Sequence, residues 1–160
     1  MIKPSITYKG PLGKKVKGFN AKLKQVLQDA IRLWHAGMLP HHFGTLAQVQ
    51  ARYPGVYEKR TAKYMRRKAK KYKHQRMLDF TGQTRIQVTR AIRISGTSKG
   101  ASGRMTGANR GLNFRRTDQP DMRAELLTVN QQEADELARY VDAEMTKFLN
   151  DNSEVVTKQA

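Results

Sequence analysis

The chain has 160 residues, enough for one domain of ordinary size with tails, and its 31 Lys and Arg against 13 Asp and Glu give a formal charge of +18. Such a charge draws a protein toward phosphate, acidic protein surfaces or anionic lipid. With no cysteine, disulfides, thiolate catalysis and cysteine-based metal sites are excluded, and no stretch approaches the roughly 20 apolar residues of a membrane span.

Residues 1–18 hold two prolines, five lysines and few apolar side chains. They are predicted to be a flexible basic arm that orders only on a partner. Met1 to Lys17 lacks the apolar core of a signal peptide, so an intracellular origin is expected. Asn20 is a good N-cap, and Leu23, Val26, Leu27, Ala30, Ile31 and Trp34 follow as one apolar helical stripe, with Gly37 expected to end it. Leu39 to Phe43 then turns the chain, and a short helix runs from Thr45 to Arg52 before the strong turn signal Tyr53-Pro54-Gly55. From Val56 to Lys73 the pattern is helical, with Tyr57, Tyr64 and Met65 on one face among lysines and arginines. Met77, Leu78 and Phe80 form a small apolar cluster before Thr81-Gly82.

Gln87 to Ser95 reads as a strand, with an imperfect alternation around Ala91. Residues 95–120, with five glycines, three serines and four arginines, read as a long mobile loop. Met122 to Val129 is a second strand candidate. Asn130 caps a final helix with Glu133 three residues on, a capping-box start. Its stripe is Ala134, Leu137, Ala138, Val141, Met145, Phe148 and Leu149, and from Asn150 onward the tail is expected to fray. The fold class is therefore α+β. A long N-terminal helix and a C-terminal helix pack on a small curved antiparallel sheet, joined by a basic helical segment and a long Arg/Gly/Ser loop. The boundaries are an arm at 1–18, one domain at 19–150 and a tail at 151–160.

Little here points to catalysis. His35, His41, His42 and His74 have no carboxylate run beside them, and before residue 118 the only acids are Asp29, Glu58 and Asp79. A two-metal nuclease or a glycosidase needs paired carboxylates. The acids of the last helix fall on its expected wet face. The glycines of residues 99–111 lack the Lys-Ser/Thr ending of a phosphate loop. No catalytic residue, metal site or cofactor is expected.

Two segments instead suit acidic partners. Arg66, Arg67, Lys68, Lys70 and Lys71 crowd one helix, where like charges four residues apart repel. Arg104, Arg110, Arg115 and Arg116 punctuate the Gly/Ser loop in a way that fits phosphate contact without sequence readout. Residues 119–160 reverse the sign, with four basic residues and nine acids. A basic body and an acidic end suggest head-to-tail pairing of identical copies, which closes into rings when the rotation allows. Composition alone also permits a stand-alone RNA- or DNA-binding protein.

The middle of the chain carries an ordered set of residues: His42-Phe43, Ala51-Arg52-Tyr53, Tyr57, Arg60, Tyr64, the basic run at 66–71, then Thr81-Gly82 and Arg85 ahead of a strand. This set resembles the tail-completion or neck (head–tail connector) proteins of tailed phages, the group that includes virion morphogenesis proteins and lambda-like minor tail protein Z. The resemblance covers about residues 20–95. Gln83-Thr84 stand where members often carry glutamate and leucine, and the family's later strands have to lie within 95–120. The resemblance implies a ring-forming homo-oligomer at the virion neck or tail, assembled in the host cytoplasm. Its implied partners are itself, portal or adaptor and tail proteins, and packaged DNA in the channel.

Overall fold

The computed structural model describes residues 5–7, 18–79, 81–105, 112 and 121–157. The observed class is α+β, helices with a three-stranded antiparallel sheet.

Helix α1 (Phe19–Leu33) is the central element. Phe19, Leu23, Val26, Leu27, Ala30 and Ile31 are buried along it, and it packs against both the sheet and the C-terminal helix α6 (Gln131–Thr157). It starts one residue before Asn20, with Gly18 at the N-cap in the left-handed region (φ 83°), because Phe19 already belongs to the core. Gly37 does not end the helical path. A π-helical turn (Trp34–Met38) and a 3-10 turn (Leu39–Phe43) continue it. The change of pitch keeps Trp34, Met38, Leu39 and Phe43 all on the core side.

The sheet has the order β1-β3-β2, from β1 (Ser5–Thr7), β2 (Ile92–Thr97) and β3 (Gly100–Met105). Ile92, Ile94, Gly96, Ala101, Gly103 and Met105 alternate onto the face that meets α1, as the two-residue period of a strand requires. At Gly103 an added Cβ would lie 2.4 Å from Ile92 Cδ1 and 3.0 Å from Ile31 Cγ2, so the glycine is what lets helix and sheet close together.

Several expectations are corrected. Residues 87–95 are not one strand: α4 (Gln83–Arg90) precedes β2, with extended backbone at Ala91 between them. Gly82 (φ 92°) starts α4, and the faltering alternation around Ala91 is the junction of two periods. Met122–Leu127 is a helix, α5, because Asp121 accepts hydrogen bonds from the backbone of Arg123 and Ala124, both at 3.1 Å. Within the stretch read as a mobile loop, Gly100–Met105 is β3. Within the arm, Ser5–Thr7 pairs with β3 of the same chain. The last helix continues past Asn150 to Thr157. Helix α3 covers only Ala62–Tyr72; Tyr57 lies before it in non-helical chain and does not share its face with Tyr64 and Met65. Helix α2 (Leu46–Arg52) forms as expected, with a capping box between Thr45 and Gln48. Phe80 of the expected apolar cluster lies outside the described residues, while Met77 and Leu78 are buried.

Candidate functional site

Most of the ordered set at 42–60 converges on one buried polar knot. The 3-10 turn delivers His42 and Phe43 inward, both buried. Helix α2 ends at Arg52, and the turn at Pro54-Gly55 (Gly55 φ 74°) sends the chain back so that Tyr53 and Tyr57 face the same interior. His42 stacks on Tyr53 with ring centroids 4.3 Å apart, and its Nδ1 lies 2.6 Å from the Tyr57 hydroxyl.

Two carboxylates from the C-terminal third close the knot. Glu133 of α6 accepts from the Tyr53 hydroxyl at 2.6 Å and from Arg52 Nε at 3.0 Å. Glu125 of α5 accepts from both Arg60 terminal nitrogens at 3.1 and 2.6 Å, a bidentate pair, and from the Glu58 backbone N–H at 3.1 Å. Asn130 serves two helix ends: its Oδ1 accepts from the Glu133 N–H at 2.8 Å, and its Nδ2 donates to the Arg52 carbonyl at 3.0 Å. Glu133 is buried, not on a wet face, and is an exception to the expectation for the acids of the last helix; Glu125 of α5 is buried too.

Burial sets the protonation states inside. It lowers His42 from the ordinary histidine value to about 4, against the raising effect of nearby Glu133. It also holds the Tyr53 and Tyr57 hydroxyls protonated, with Glu133 and Glu125 respectively acting in the same direction. His42 Nε2 is buried without a hydrogen-bond partner. The neutral ring therefore carries its proton on Nδ1. That N–H donates to the Tyr57 oxygen, and Tyr57 donates onward to the Glu125 carbonyl at 3.3 Å.

A second group organises the basic helix. Thr61 caps α3 by accepting from the Tyr64 N–H at 3.3 Å. Lys68 points inward: it is buried, donates to the Arg76 carbonyl, and lies 5.7 Å from the Tyr64 ring centroid. Burial lowers its ammonium to about 8, with Asp79 opposing the shift. Lys68 is thus removed from the set of surface contacts. Burial also raises the half-buried Tyr64 hydroxyl above its ordinary value. Asp79 is buried and accepts from the Gly82 N–H at 2.9 Å, so the Thr81-Gly82 turn is anchored by an acid three residues before it. Arg85 and Arg52 share a cleft of about 640 Å³ with His41, Phe43 and Gln48.

Other cations face solvent. Lys63, Arg66, Arg67, Lys70 and Lys71 are exposed on α3, and Arg104 is exposed on β3. Arg110, Arg115 and Arg116 lie outside the described residues. Among the described residues no cluster of three His, Asp or Glu is arranged to hold a metal, and no helix is long and apolar enough to cross a membrane. Glu125 and Asp79 carry no sequence signal as site residues; only Glu133 has a local one, its capping-box spacing from Asn130. No protein-family model, curated protein or solved structure matches the chain.

Proposed function

We propose that the chain is a non-catalytic structural subunit of a virion neck, one copy of a ring between portal or head and tail. In this reading it docks through cationic surfaces onto anionic ones. The observation that carries the proposal is the convergence of His42, Phe43, Arg52, Tyr53, Tyr57 and Arg60 on a single interior knot. Residues that resemble a family signature are used here to hold the fold, which suits a family whose shared property is an assembled shape. The exposed cations of α3 and β3 are left to meet partners.

One element of the sequence argument loses force. Glu125 and Glu133 pair with Arg60 and Arg52, and Glu144 of α6 pairs with Lys22 of α1 at 3.0 Å. The attraction of these three acids to the basic body is therefore satisfied within one chain. The ring reading rests on the resemblance more than on head-to-tail charge.

Two measurements test it. Mass spectrometry of purified particles is expected to find several copies per virion, and light scattering of the concentrated protein to find a closed oligomer. A chain that stays monomeric at every concentration and is missing from mature particles overturns the proposal.

A further inference from the structure

The sheet has two faces, and only one meets α1. The other carries Arg93, Ser95, Ser102, Arg104 and Ser5. Their arrangement follows from register. Arg93 and Arg104 are direct cross-strand partners, so their guanidinium groups emerge side by side. Like charges directly opposite each other destabilise a strand pair. Both arginines are exposed, and neither is paired with an acid among the described residues. From residue 80 to residue 117 the sequence contains no Asp or Glu that supplies a local counter-charge.

The next row toward the hairpin tip is Ser5, Ser102 and Ser95, one hydroxyl from each strand, with Ser95 Oγ and Ser102 Oγ 3.1 Å apart. They line a shallow depression of about 380 Å³ together with Ile6, Thr97 and the neighbouring Gly96, Gly100 and Ala101. Lys99 stands exposed at the tip.

We propose that this outward sheet face binds the phosphate backbone of a nucleic acid, with Arg93 and Arg104 clasping one phosphate and the serine row donating to the next. Three features favour this occupant over an acidic protein. Paired arginines offer planar, bidentate donors matched to phosphate oxygens. Hydroxyls beside them are the usual companions in sequence-independent backbone contact. Above all, the outward positions of β2 and β3 carry no large apolar side chain, whereas a stable protein interface needs an apolar centre. Adjacent rows on one face are about 7 Å apart along the strands, comparable with one nucleotide step of an extended backbone. The small residues let that backbone approach closely. The inference does not depend on the neck reading, since a monomer that never enters a particle would still bind through this face.

The test is fluorescence anisotropy with the full chain and a labelled mixed-sequence DNA oligonucleotide, single-stranded and duplex, across a salt series. The double variant Arg93→Ala/Arg104→Ala is expected to bind at least about tenfold more weakly than the parent at low salt. The slope of log affinity against log salt is expected to fall in magnitude by about one phosphate contact, roughly 0.7 for single strands to 0.9 for duplex. A comparator, Arg139→Ala/Lys147→Ala on α6, removes the same charge from exposed positions on another element and is expected to change little. Equal losses in both variants would reduce the effect to net charge and overturn the site, as would unchanged binding in the sheet variant. Loss of polyglutamate binding with DNA binding retained would assign the face to an acidic protein instead. Both variants alter exposed side chains, so matching circular dichroism and melting temperature are expected to confirm intact folds.

Discussion

Acidifying the protein below neutrality should weaken it through His42. The ring is buried, stacked on Tyr53 and bonded to Tyr57, and its only route to charge is an N–H on Nε2, which has no acceptor. Burial lowers it from 6.5 to about 4. A histidine whose folded value is lowered binds fewer protons folded than unfolded between those two values. Its contribution is therefore complete above about pH 6.5 and declines as pH falls toward 4. At about 1.4 kcal/mol per unit the full loss is about 3 kcal/mol, of which about 2 kcal/mol is gone by pH 5. Urea melts of the parent and of His42→Phe at pH 7 and pH 5 read this directly. The variant is less stable at pH 7, because the Tyr57 hydroxyl loses a partner at a cost of about 1–3 kcal/mol. It should also lose about 2 kcal/mol less than the parent on acidification. The same decline in both proteins would place the pH sensitivity elsewhere and refute the account of His42.

Truncating Arg60 to alanine leaves Glu125 buried and uncompensated, and equilibrium unfolding should show a loss of about 3–5 kcal/mol. Replacing both partners with apolar residues of similar volume should recover most of it. Gly103→Ala drives a methyl group into Ile92 and Ile31; a loss of about 1–3 kcal/mol is expected in the same assay. The helical assignment of residues 83–90 is tested by Ile86, 56% exposed, against Val88, fully buried. Ile86→Asp should stay within about 0.5 kcal/mol of the parent while Val88→Asp unfolds the protein; similar effects at the two positions would fit a strand, where they share a face. Raising sodium chloride from about 0.1 M to about 1 M shortens the screening length from about 10 Å to about 3 Å. Because exposed cations outnumber exposed acids, the melting temperature should rise, and a fall would mean that surface ion pairs carry the stability.

What the sequence made legible was local. The stripe of α1, the short helix from Thr45 and the Asn130–Glu133 cap are each written within a few neighbouring residues, so periodicity, turn signals and capping chemistry reveal them. What it hid was distant or degenerate. Lys68 stands among equivalent neighbours on α3; only the return of residues 74–79 beneath it, bringing Asp79 and the Arg76 carbonyl, separates it from the exposed cations. Glu125 finds Arg60 65 positions away, beyond any helical period. The three residues of β1 pair with a strand nearly a hundred residues on. Residues 87–95 misled because a short helix feeding a strand mixes two periods, and Val88, buried on the helix, supplied a false member of the strand pattern.

The charge balance reads differently once the acids are located. Asp79, Glu125 and Glu133 are buried, and Glu144 and Asp29 are engaged by Lys22 and Arg32. Each carboxylate drawn inside takes a negative charge off the surface, while most cations of α3 and of the outward sheet face stay in water. Arg52 and Arg60 accompany two of the acids, so the knot is close to neutral within, at no cost to the cationic exterior. The interior thus holds its charges in opposite pairs, Lys68 lying beside Asp79 as well, and the chain's excess positive charge is left on the surface. Self-repulsion opposes the isolated chain and is relieved when something anionic is bound. An anion that neutralises the sheet face or α3 should therefore raise the melting temperature of the chain.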